Sequence, residues 1–153
     1  MFVVASLSCE PVEKKITIKF PMDWDQLRII TLNPELVDQN IRSPEMKQVY
    51  DANKPNRGEF VTMVNKIFET SDFAFIDNKF PYYLENNIHH RVLWLKNMSS
   101  DEKNWVIFYN LDEIKKLIEI DMHKLGYKEY LFYQNPPIAR SIAILPHFHV
   151  FYR

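Results

Sequence analysis

An α+β fold is what this sequence predicts, and three observations carry the expectation. Apolar residues recur at helical spacing through the first half of the chain, whereas short alternating or apolar runs bounded by turn residues dominate the second. One long amphipathic segment, 111–125, interrupts those runs. Helices followed by a small antiparallel sheet with one helix across it satisfy all three. At 153 residues, with no repeat, linker or break in composition, the chain is expected to form one domain over 1–153.

The elements follow in order. Residues 14–20 (Lys-Lys-Ile-Thr-Ile-Lys-Phe) alternate and read as a half-exposed strand. A helix over 23–32 gathers Trp24, Leu27 and Ile30 or Thr31 on one face and stops before Pro34. Ser43-Pro44 is a helix start, with serine as N-cap and proline in the first turn, and this helix runs to about Ala52. A third helix over 58–68 aligns Phe60, Val64, Ile67 and Phe68. Strands are expected at 73–76 and 88–96, around a turn-rich stretch. In 111–125 Leu111, Ile114, Ile118, Met122 and Leu125 form one stripe. Asn110 and Glu113 suit a capping box there, and Gly126 suits the C-terminal cap. Strands at 129–134 and 141–152, joined through Asn135-Pro136-Pro137, close the fold.

Composition removes several classes of function. Lysines and acids are interspersed and the formal net charge is −1, so no basic stripe for duplex nucleic acid exists. Two glycines, Gly58 and Gly126, are too few for a glycine-rich phosphate loop. The single cysteine, Cys9, fits a reducing compartment and supports no disulfide framework. The apolar start lacks a basic region and no later run could span a membrane, so a cytoplasmic protein is expected.

Chemistry concentrates in histidines. His147-Phe148-His149-Val150 lies in the last expected strand, where residues two apart share a face about 6.6 Å from each other. Two imidazoles so placed can hold a phosphate, or one can attack phosphorus while the other donates a hydrogen bond. They can equally be a solvated pair on a sheet surface. In His89-His90 consecutive residues face opposite sides, so at most one of them joins that pair. Arg91, Lys96 and Arg140 are candidate anion contacts or plain surface charges. Three histidines could also hold zinc with one open position, but no carboxylate sits at a telling spacing and no metal is expected. The aromatic turn 78–83 reads either as a base-stacking pocket wall or as a hydrophobic plug.

Two resemblances extend this reading. The order of a strand at 72–76, His90-x-Val92-Leu93-Trp94, helix, strand, Asn135 and His147-x-His149-Val150 resembles the histidine-triad (HIT) nucleotide-hydrolase fold. That resemblance implies a nucleotide α-phosphate surrounded by histidines. It implies His149 as nucleophile, His147 and His90 positioning the phosphate, and Asn135 donating to it. Phe151 stands where a third histidine belongs, and a register shifted by two makes His147 the nucleophile instead. The second resemblance covers about residue 24 to the end. Trp24, Arg42-Ser43-Pro44, Tyr50, Asn78-x-Phe80-Pro81-Tyr82, Ile88-x-His90-x-Val92-x-Trp94, Asn135-Pro136, Ser141-Ile142 and His147-x-His149 are similar to the N-acetylglucosamine-induced protein family of fungi and large DNA viruses. It implies no reaction but places His90, His147, His149, Asn135 and Ser141 within shared motifs.

The resulting expectation is a nucleotide or nucleotide-phosphate binding domain without a cofactor. His149 and His147 are the catalytic candidates, and His90, Asn135, Ser141 and Arg140 the ligand contacts. Phosphoester hydrolysis or nucleotidyl transfer would start from an imidazole with an ordinary pKa near 6.5. The alternative is a non-catalytic module that recognises an RNA 5′ end or cap, or docks a protein partner.

Overall fold

A computed structural model describes residues 18–36, 41–101, 104–136 and 140–153. Cys9 and most of the strand expected at 14–20 lie outside the described residues, and residues 18–20 are not in a strand. Among the described residues the chain runs α1 (Trp24–Leu32), α2 (Pro44–Ala52), α3 (Arg57–Ile67), β1 (Phe73–Asp77), β2 (His89–Leu95), α4 (Leu111–Lys124), β3 (Tyr130–Tyr133) and β4 (His147–Tyr152). The expected α+β class holds.

Local chemistry sets the helix ends. Asp23 caps α1 by accepting from the Gln26 amide, and Ser43 caps α2 by accepting from Met46 with Pro44 in the first turn. Helix α4 carries the reciprocal capping box of Asn110 and Glu113. It ends at Gly126, whose φ of 85° suits a residue without a Cβ.

The four strands form one antiparallel sheet in the order β1-β2-β4-β3. Leu93, Leu95, Phe148, Val150 and Tyr152 face Ile114, Ile118 and Met122 of α4. The opposite face lies under the N-terminal helices. There Val92 and Trp94 pack with Val64 and Phe68 of α3 and its end, and Tyr133 and Phe151 pack with Trp24, Leu27 and Ile30 of α1. The sheet is thus covered on both sides, and every residue of β4 is buried.

One boundary differs from expectation. The last strand begins at His147 and not at 141, because β2, its partner, ends at Leu95. Trp94 pairs with His147, and the Leu95 amide donates to the Pro146 carbonyl. Residues 141–146 have no strand to join; they turn instead, with the Ala143 carbonyl accepting from the Trp105 indole.

Candidate functional site

Register brings the histidines together. His90 and His149 are diagonal neighbours on the helix-covered face, since His90 is paired with Phe151 and Val92 with His149. His90 Nε2 lies 2.9 Å from His149 Nδ1. The other nitrogen of His90, Nδ1, accepts from the Tyr82 backbone amide at 3.3 Å, and the Asn78 amide nitrogen is 3.3 Å from Nε2. His149 Nε2 lies 3.1 Å from Asn135 Nδ2, so both nitrogens of His149 have side-chain partners. Its ring stacks on both Tyr82 and Tyr133, whose hydroxyls bond to each other.

His147 is placed differently. Its Nδ1 lies 2.7 Å from the Leu145 carbonyl, and Nε2 has no protein partner among the described residues. The ring packs against Trp94 and Trp105.

The solvated-pair reading of His147 and His149 fails on burial: they are 4% and 6% exposed, and His90 is 4%. Burial disfavours the charged imidazolium, and the expected ordinary pKa does not survive it. Burial lowers His147 to about 4, only partly opposed by its bond to Leu145. His149 falls well below 6.5 through burial and then its proximity to His90, and His90 through burial and then the Arg42 guanidinium. All three rings are neutral at physiological pH.

Beside them lies a cavity of about 610 Å³ between the sheet and helices α2 and α3, lined by His147, His149, Asn135, Arg140 and Ser141 among others. His90 is not part of the lining; it stands behind His149. Arg42, Lys47, Lys54, Arg57, Lys79 and Arg140 line it against three carboxylates, Asp51, Glu59 and Asp77. A positive cavity in a chain of net charge −1 favours anions.

Two of those cations are held rigidly. Arg42 donates through Nε to the Phe80 carbonyl at 2.8 Å and stacks over Tyr50 at 4.2 Å. Arg140 donates through Nε to the Asn135 carbonyl at 3.0 Å and lies 3.6 Å over the Trp105 ring. In both, the Nη donors have no protein partner among the described residues, so a planar fork is pre-set for an oxyanion. Ser141 is exposed at the rim.

Arg91 and His89 belong elsewhere. On the α4 side His89 bonds to Asp77 and Tyr127, and Arg91 bridges Asp77 and Asp121. Among the described residues no three His, Cys, Asp or Glu side chains are grouped to hold a metal ion. Nor is any helix there long and apolar enough to cross a membrane.

Sequence reasoning did not single out Arg42, although it lies in the Arg42-Ser43-Pro44 motif beside a helix cap. The aromatic turn answers to both of its readings: Tyr82 is a buried plug packed against the rings of both His90 and His149, while Asn78 and Phe80 line the cavity.

Fold and site together define a four-stranded α+β domain with a buried histidine cluster opening on a cationic cavity. The chain belongs to the DUF3605 family, described as a protein of unknown function, whose model matches residues 21–153. Among curated proteins no sequence matches. The crystal structure of HTC1 is similar, with a TM-score of 0.53 and 20% identity over 85% of this chain and 84% of that one. At that identity the likeness is one of fold.

Proposed function

We propose that the cavity binds a small phosphate-bearing molecule of the nucleotide class. The observation that carries this reading is the pair of immobilised guanidinium forks, Arg42 and Arg140, with open Nη donors on the cavity that His147 and His149 line. Tyr50, Phe60 and Phe80 in the same lining offer apolar walls for a base or sugar. The resemblance to the HIT fold points the same way, and an RNA 5′ end or cap is among the possible ligands. Calorimetry with AMP, GMP, a cap analogue and N-acetylglucosamine phosphates, each against its unphosphorylated counterpart, tests it. At least one phosphorylated form binds at least about tenfold tighter than its counterpart; equal or absent binding throughout transfers the cavity to a protein-docking role.

Phosphoester hydrolysis or nucleotidyl transfer is the second reading, favoured by one observation. His147 Nε2 has no protein partner among the described residues, and its ring lines the cavity with Arg140. Of the two catalytic candidates His147 fits attack or proton abstraction better, since both nitrogens of His149 are engaged. Turnover that survives His147→Asn would remove this second reading.

A further inference from the structure

The hydrogen bonds of the histidine cluster have a direction, and it can be followed from a group that has no choice. The backbone N–H of Tyr82 can only donate, and its acceptor is His90 Nδ1. A neutral imidazole carries one proton, so that of His90 sits on Nε2. It points at His149 Nδ1, 2.9 Å away, which leaves the His149 proton on Nε2. The Asn78 amide nitrogen, with its oxygen held by the Phe80 amide, also stands 3.3 Å from His90 Nε2, but the nearer group is His149 Nδ1 at 2.9 Å.

His149 Nε2–H then needs an acceptor, and the group facing it is the Asn135 amide at 3.1 Å. As drawn, the amide nitrogen meets the ring nitrogen, while Asn135 Oδ1 is buried with no partner. Half a turn of the amide exchanges oxygen and nitrogen, two atoms of nearly equal size. Oδ1 then accepts from His149, and the NH₂ occupies the unpartnered position of a residue that is 9% exposed and lines the cavity.

At His147 the polarity is opposite. The Leu145 carbonyl can only accept, so the proton is on Nδ1 and Nε2 is a bare lone pair.

We propose that the relay Tyr82–His90–His149 turns Asn135 to offer an N–H donor to the cavity, where His147 offers an acceptor, and that the site therefore selects a protonated oxyanion, phosphate over sulfate. The selection rests on the phosphate reading above and sharpens it. A phosphate that keeps one P–OH gives its proton to His147 Nε2 and receives donors from Asn135, Arg42 and Arg140. Sulfate has no proton to give near neutral pH, so one of its oxygens must face a lone pair. Binding it would require His147 to be protonated, which burial opposes down to about pH 4. His90 and His149 are positioning residues on this view, and His147 and Asn135 touch the ligand.

Nitrogen-15 NMR of the imidazole rings reads the relay with no ligand present. His147 is expected as the Nδ1–H tautomer, with His90 and His149 as Nε2–H. The reverse assignment at His147 or His149 overturns the proposal even if phosphate binds. Calorimetry with inorganic phosphate and sulfate, at about pH 6 and about pH 8, reads the selection, since inorganic phosphate keeps at least one P–OH at both. Phosphate is expected to exceed sulfate by about tenfold or more at both pH values, whereas a phosphate monoester such as AMP, which loses its last P–OH between them, weakens severalfold at the higher one. Equal binding of phosphate and sulfate, or a monoester bound more tightly at the higher pH, overturns it. Failure of phosphate at both pH values overturns the proposed function and the selection together, and the tautomers then report on the relay alone. In Asn135→Asp the carboxylate still accepts from His149 but offers no N–H. Phosphate binding is therefore lost while the His149 tautomer is kept; retained phosphate affinity in this variant contradicts the role given to Asn135.

Discussion

The two faces of the sheet are buried alike and built from opposite chemistry. Against α4 the contacts are mostly apolar: Ile114, Ile118 and Met122 meet Leu93, Leu95, Phe148 and Val150. Its polar groups sit toward one end, where Tyr152 donates to Asp121 and Arg91 bridges Asp77 and Asp121. Against α1 and α3 the same strands bury three imidazoles, with Asn135, just beyond β3, buried beside them. An apolar face is stable wherever it excludes water, whereas a buried imidazole is tolerable only when neutral and bonded. The histidine face therefore depends on a continuous chain of donors and acceptors, and that chain is interrupted only where it opens on the cavity. With the proposed ligand in the cavity, stability and binding would be divided between the two sides of one sheet.

Truncation on the α4 face tests that division with the largest effect. Ile118→Ala removes a fully buried side chain and should lower unfolding stability by about 2–5 kcal/mol. Phosphate affinity, measured under conditions where the variant is folded, should stay within about twofold of the parent. A parallel loss of affinity would mean that the faces are coupled.

Acid should act through the other face. His147 is lowered in the folded state, so the unfolded chain binds the extra proton between the ordinary histidine pKa of about 6.5 and about 4. Its contribution is fully present above pH 6.5 and is lost as pH falls toward 4, a decline of about 3 kcal/mol from this residue. His90 and His149 act in the same direction. Denaturant unfolding from about pH 7 to about pH 4 checks the slope, and His147→Gln should flatten part of it. A profile unchanged by that substitution would place the acid sensitivity elsewhere.

Arg42→Lys keeps the charge but not the planar fork stacked on Tyr50. Phosphate affinity should fall by about tenfold while the α4 side is untouched. The smallest effect belongs to the α4 cap. Asn110→Ala should cost about 1 kcal/mol in thermal or denaturant stability and leave ligand binding as it was. Any shift in phosphate affinity there would again argue for coupling.

Much of the α4 face was legible from residue spacing. The middle of the stripe (Ile114, Ile118 and Met122), the Asn110–Glu113 box and the glycine after the helix are local signals and lie where the sequence places them. Leu111 and Leu125, at the ends of the expected stripe, are exposed. The alternation of β4, with Phe148 and Val150 opposite the two histidines, was legible for the same reason. What misled was the environment of the histidine side. A polar residue on an alternating strand reads as solvent-facing, yet the N-terminal helices cover that face. Strand 141–152 was overextended because alternation continues past the end of the partner strand, and pairing is not a local property.

The sequence by itself determined most of the elements, the helix caps, and the two-residue spacing of His147 and His149. These follow from backbone propensity and periodicity, which act within a few residues. Tertiary structure alone decided which ring nitrogens have partners. The β2–β4 register sets His90 against His149, the 78–83 turn brings the Tyr82 amide to His90, and the start of α2 delivers Arg42 to the cavity. Those contacts join residues 8 to 59 positions apart, and a proton's place on an imidazole depends on the group opposite it in space.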